Sequence, residues 1–115
     1  MLTDVNSIDE SKIVLSFKVQ KEDFEKAISE VFMQTRYKYK VVGMETGMIP
    51  RHIIENQYGE TVFYTDTINY LIEKEFDNMN NTYKNHQITK DKVSDINILQ
   101  IGKDKDLIFE LLVNL

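Results

Sequence analysis

The sequence predicts an α+β fold, with an antiparallel four-stranded sheet carrying three helices packed on one face. Three observations predict it. Apolar residues recur at every second position near both ends of the chain. Between those ends they recur at the three-four spacing of amphipathic helices. Gly43, Gly47 and Pro50 gather in one short stretch that no regular helix would tolerate. Strands at the ends and helices between favour helices segregated on one face of an antiparallel sheet.

The first clear strand is Lys12 to Val19, where Ile13, Leu15, Phe17 and Val19 alternate with Lys12, Val14, Ser16 and Lys18. Leu2 to Asn6 reads as a weaker strand before it, and polar Ser7 to Glu10 as a turn. A helix follows over Lys21 to Tyr39. Its buried face is Phe24, Ala27, Ile28, Val31, Phe32 and Thr35. Glu22 and Asp23 suit the positive end of its dipole, and Arg36, Lys38 and Lys40 the negative end. Pro50 suits the first turn of a short second helix running to Tyr58, with Ile53 and Ile54 facing inward and Gly59 as C-cap. A third helix spans Glu60 to Met79. Its inner stripe is Phe63, Ile68, Leu71, Ile72, Phe76 and Met79, and Asn78, Asn80, Asn81 and Thr82 mark its end. Val93, Ile96, Ile98 and Ile101 then suggest a strand, Gly102 to Asp106 a charged turn, and Leu107, Phe109, Leu111 and Val113 the strand that closes a hairpin.

At 115 residues the chain has the size of one domain, 1–115, with no linker or repeat. Hydrophobic residues make up 42%, enough for a core and against disorder. The net charge of −5 argues against a general nucleic-acid binder, and no DNA partner is expected. There is no cysteine, which removes disulfides and thiolate metal sites and fits a reducing compartment. No apolar run approaches the roughly 20 residues of a membrane helix, and the N-terminus lacks the build of a signal peptide. A cytoplasmic protein with no membrane partner is expected.

Catalytic and metal motifs are absent from the sequence. His52 and His86 have no second ligand at helical spacing. Asp91, Asp95, Asp104 and Asp106 lack the central glycine and closing glutamate of a calcium loop, and read as solvated turn residues. No serine lies in a Gly-x-Ser-x-Gly elbow. The chain is read as a non-enzyme without cofactor or metal.

One segment carries more. It reads Gly43-Met44-Glu45-Thr46-Gly47-Met48-Ile49-Pro50-Arg51, then a short helix ending in Tyr58-Gly59. This resembles the trigger factors, bacterial folding chaperones that carry Gly-Phe-Arg-x-Gly-x-x-Pro followed by a short helix ending in Tyr-Gly. Gly43, Gly47, Pro50 and Tyr58-Gly59 match in register. Val19 to Ala27 resembles the family's strand-to-helix entry and Gly102 to Phe109 its closing hairpin, so the likeness covers nearly the whole chain.

The resemblance implies the fold of the family's N-terminal ribosome-binding domain. It implies that Gly43 to Pro50 is the docking loop, and that nascent or unfolded polypeptide and the ribosome are partners. In the family a Phe-Arg-Lys triplet makes the ribosomal contact; here those positions are Met44, Glu45 and Thr46. Docking is therefore expected to be weakened or lost. The alternative is a repurposed protein-interaction or homodimerising module that uses the Met44–Ile49 loop. Met44, Met48 and Ile49 read either as an exposed apolar contact or with Met48 or Ile49 tucked back onto the short helix. Arg36, Lys38 and Lys40, interleaved with Tyr37 and Tyr39, read either as an RNA contact or as a cationic helix end with two half-buried tyrosines.

Overall fold

The computed structural model describes residues 2–9, 11–82 and 92–114. Its elements are β1 (Leu2–Asp9), β2 (Lys12–Val19), α1 (Lys21–Thr35), a 3₁₀ turn (Arg36–Lys38), α2 (Arg51–Tyr58), α3 (Tyr64–Thr82), β3 (Val93–Gln100) and β4 (Leu107–Asn114). The class is α+β. Every strand pairing is antiparallel, and the sheet order is β1-β2-β4-β3. The chain forms two compact units, residues 1–24 with 71–115, and residues 25–70.

The first unit is built on β2 and β4. Their alternating residues Ile13, Leu15, Phe17, Val19, Leu107, Phe109, Leu111 and Val113 are all buried. Antiparallel register sets Ile13 opposite Val113, Leu15 opposite Leu111, Phe17 opposite Phe109 and Val19 opposite Leu107. The period of two therefore makes one continuous apolar face. Phe17 and Phe109 stack with ring centroids 5.0 Å apart, an arrangement worth about 0.5–1.5 kcal/mol beyond the area it buries. Phe24, Leu71, Ile72 and Phe76 are buried in the same unit. β1 runs through Ser7 to Asp9, where Ser7 pairs with Ile13 and Asp9 with Lys12, so these three residues of the segment read as a polar turn are strand, and Glu10 lies outside the described residues. Its polar side chains satisfy no apolar pattern, and pairing to β2 overrides composition.

The apolar face read onto the first hairpin strand is corrected. β3 stops at Gln100, short of Ile101. Ile96 and Ile98 are 39% and 37% exposed. They stand opposite Leu111 and Phe109, so their alternation reports the right face. β3, however, ends the strand order and, among the described residues, pairs on one side only. Bulges between Val93 and Asp95 and between Ile98 and Gln100 break its register further, a device common at sheet edges.

Asp106, read as a solvated turn residue, is partly exposed but also makes specific contacts. Its Oδ1 accepts the Lys21 backbone N–H at 2.8 Å, and its Oδ2 lies 3.8 Å from the Lys18 ammonium. Lys21 opens α1, where the first amides have no partner inside the helix. Asp106 caps that end from 85 positions away in sequence, beyond the reach of any local pattern. Asp104, in the same turn, takes φ 58°, a left-handed conformation that aspartate tolerates better than most residues.

In the second unit Ala27, Ile28 and Val31 of α1 are buried, as their spacing predicts. The helix ends at Thr35 rather than Tyr39. There the Thr35 hydroxyl donates to the Val31 carbonyl at 2.7 Å and the chain tightens into the 3₁₀ turn. The cations Arg36, Lys38 and Lys40 thus lie beyond α1. Pro50 is the N-cap of α2, in extended conformation at φ −61° and ψ 149°, and not its first helical residue. Gly59 closes α2 as predicted, at φ 112°, its N–H bonded to the Glu55 carbonyl at 2.9 Å. Ile54 is fully buried and Ile53 only half so.

α3 starts at Tyr64, after turns that bond Val62 to Gly59 and Tyr64 to Thr61, so buried Phe63 precedes the helix. It continues to Thr82 through Asn78, Asn80 and Asn81. Asparagine is a modest helix former, and that preference is weak enough to be overridden. The Met79 side chain, His86 and Asp91 lie outside the described residues.

Replacing Asp106 with Ala should lower stability by about 1 kcal/mol, the usual cost of a lost N-terminal cap, and Asn should retain most of it. Urea unfolding of the three proteins measures this; equal midpoints for Ala and wild type would refute the cap.

Candidate functional site

The loop from Val41 to Pro50 is two consecutive β-turns. Met44 N–H bonds to the Val41 carbonyl at 3.1 Å, and Met48 N–H to the Glu45 carbonyl at 3.0 Å. The third residue of each turn is glycine, Gly43 at φ 84° and Gly47 at φ 87°. Positive φ at that position alone defines a type II turn, which any side chain there would strain. The spacing of the two glycines is the spacing of the two turns.

The base of the loop is tied. The Tyr58 hydroxyl accepts the Lys40 N–H at 3.1 Å and donates to the Lys40 carbonyl at 3.0 Å. One side chain thus satisfies both backbone groups of the residue that leads into the loop. The Tyr58 ring meets Tyr39 edge-on at 5.1 Å, Tyr39 meets Phe63 at 5.4 Å, and Phe63 meets Phe32 at 5.9 Å. At the other end Ile49 is buried and Arg51 holds a charge cluster. Arg51 pairs with Glu25 through both terminal nitrogens, and its Nε lies 3.4 Å from Glu55. Burial alone would lower the Arg51 pKa, but hydrogen bonding and charge from Glu25, with Glu55, raise it overall.

What the loop displays differs in part from its sequence reading. Met44 and Met48 are exposed, Met48 to 71%, and so are Glu45 and Thr46. Ile49 is not: at 2% exposure it belongs to the core, so it is the residue that tucks back while Met48 does not. Val42, in the second position of the first turn, is fully exposed. It was outside the motif, and its place before a turn glycine is the one signal that marks it.

The cationic segment is also resolved into parts. Tyr39 is buried and Tyr37 is 64% exposed, so the two tyrosines are not equivalent. The Arg36 guanidinium lies 5.2 Å from the Tyr37 ring centre. The Lys38 ammonium sits 3.8 Å from Asp66, a solvent-exposed pair of small energetic weight. Lys40 is exposed. Among the described residues no group of three or more His, Cys, Asp or Glu side chains could hold a metal ion, and no helix is long and apolar enough to cross a membrane.

The fold and the loop define an α+β domain that displays a short loop fixed by two glycine turns. Comparison with known proteins gives the family. The model described as "Bacterial trigger factor protein (TF)" matches residues 1–115, and the chain belongs to the bacterial trigger factor family, whose N-terminal domain it represents. Trigger factors of Caldanaerobacter subterraneus subsp. tengcongensis and Thermoanaerobacter sp. (strain X514) are 34% and 33% identical, each over 98% of this chain. The chain spans about a quarter of their length, 26% in both cases. A solved structure of the trigger factor chaperone, described for promiscuous substrate recognition in folding and assembly, matches with a TM-score of 0.63 at 18% identity. The match covers 96% of this chain and 26% of that one, and shows a shared fold.

Two predictions follow from the tied base. Tyr58→Phe removes both hydrogen bonds to Lys40 and should cost about 1 kcal/mol, with faster amide exchange at Lys40 and little change elsewhere. Unchanged exchange at Lys40 would refute the tie. Tyr39 titrates above the ordinary tyrosine range, chiefly through burial, then through the nearby Asp66 charge. The folded state therefore keeps its proton at a pH where the unfolded state has lost it. This stability is complete below about pH 10 and falls as pH rises beyond it. In urea titrations at pH 8 and pH 10.5, Tyr39→Phe should lose less stability between the two than wild type.

Proposed function

We propose that this domain is a chaperone module of the trigger factor type. It handles nascent or unfolded polypeptide in the cytoplasm, and its docking at the ribosome is weakened or lost. Family membership supports the first part. The second rests on one observation: the two-turn frame at Gly43 and Gly47 is intact, yet exposed Glu45 stands where the family has arginine. An arginine offers a planar cationic fork to carboxylate or phosphate. Losing such a charge-assisted contact from a buried pair costs about 2–5 kcal/mol, or roughly 30-fold to several thousand-fold in affinity, before repulsion is added. Met44 in place of phenylalanine is the milder change, because methionine adapts to many surfaces.

A second reading, of a different class, is a protein-interaction module or homodimer that uses the same loop. Exposed Val42, Met44 and Met48 favour it, since clustered apolar side chains on a surface ordinarily serve contact. The core position of Ile49 removes that residue from the contact set. RNA contact through Arg36, Lys38 and Lys40 is the weakest reading, because Lys38 already faces Asp66 and Arg36 lies over Tyr37.

Co-sedimentation with ribosomes at low salt should show weak or no binding, and the triple change Met44→Phe, Glu45→Arg, Thr46→Lys should create it. Saturable binding by the wild-type protein near micromolar or better would overturn weakened docking. If the triple variant gains nothing and the wild type sediments as a dimer, the second reading holds.

A further inference from the structure

Gly43 and Gly47 occupy equivalent places in their turns, but their surroundings differ. A Cβ added at Gly43 would meet nothing within 4 Å. One added at Gly47 would overlap the Tyr37 ring, at Cε1 and Cδ1 first. The aromatic ring therefore occupies the space beside Gly47 where a side chain would stand, and Gly47 is buried although Glu45, Thr46 and Met48 around it are exposed. Tyr37 itself is largely exposed and contributes little to any core. It is held in the 3₁₀ turn, with the Arg36 guanidinium over its ring.

We propose that Tyr37 is a positioning residue for the loop. Its ring, seated on Gly47, keeps the second turn closed and so presents Met44 to Met48 as a preformed surface. The physical basis is entropic. Type II turns on a surface open readily, and a loop that must be ordered on binding loses affinity in proportion to that ordering. A ring stacked on the turn lowers the population of open forms without touching a partner. The consequence for docking rests on the reading of this loop as the contact surface; the mechanical claim does not.

The test uses the 115-residue chain. Amide exchange is followed at Met44 and Met48, whose N–H groups close the two turns. Tyr37→Ala should speed exchange at Met48 about tenfold, as local opening, while exchange in β2 and β4 and the thermal midpoint stay unchanged. Tyr37→Phe should restore the wild-type rate, because the ring and not the hydroxyl does the holding. Gly43→Ala and Gly47→Ala share the same φ strain, so the excess disturbance of Gly47→Ala measures the ring contact. That excess should vanish when Tyr37 is already Ala.

Wild-type exchange at Met48 in Tyr37→Ala, or a Gly47→Ala excess that persists without the ring, overturns the proposal. In the ribosome-binding triple variant, Tyr37→Ala should weaken binding several-fold. If the triple variant never binds, docking as a function falls while the exchange data still decide the role of Tyr37. If it binds and Tyr37→Ala leaves its affinity unchanged, the proposed consequence for docking is wrong.

Discussion

Two amide-to-carbonyl hydrogen bonds, Met44 to Val41 and Met48 to Glu45, set the path of the loop on which both docking readings depend. Each requires positive φ at its third residue, and glycine alone takes that conformation at no steric cost. The four-residue step from Gly43 to Gly47 is thus a statement about backbone geometry. It puts the first turn directly before the second and leaves the residues between the two glycines, Met44 to Thr46, exposed to solvent. Whatever those three side chains are, the loop shows them.

The frame and the chemistry are consequently independent. The frame residues are bound to the rest of the unit: Ile49 by burial, Tyr58 through Lys40, Arg51 through Glu25, Gly47 under Tyr37. Changing any of them has a folding cost. Glu45 and Thr46 are exposed, and surface substitutions typically alter stability by less than about 0.5 kcal/mol. A family loop can lose its cationic character at almost no cost to the fold. That is why an intact Gly-Gly-Pro frame carries so little information about what the loop binds.

The same distinction explains what was legible in the sequence. Strands β2 and β4 were readable to the residue, because both pair on either side and their alternation records a real difference in burial. For β3 alternation gave the correct face, but exposure depends on strand order, which periodicity does not contain. The end of α1 was misplaced by four residues because Arg36, Tyr37 and Lys38 are acceptable helix residues, and only the structure shows the tightening at Thr35. Asp106 as the cap of α1 was beyond reach, since its partner is remote in sequence.

Within the candidate site the glycines were legible, because unusual backbone demands leave a signature in residue type; Tyr58 entered only through the family motif, which says nothing of its bonds to Lys40. Tyr37 was not. An aromatic residue among lysines and arginines suggests nucleic-acid stacking, and its actual neighbour, Gly47, has no side chain with which to announce a contact. A glycine that is both left-handed and shielded needs something to shield it. Here the shield is the ring of Tyr37, ten positions upstream in the 3₁₀ turn that follows α1.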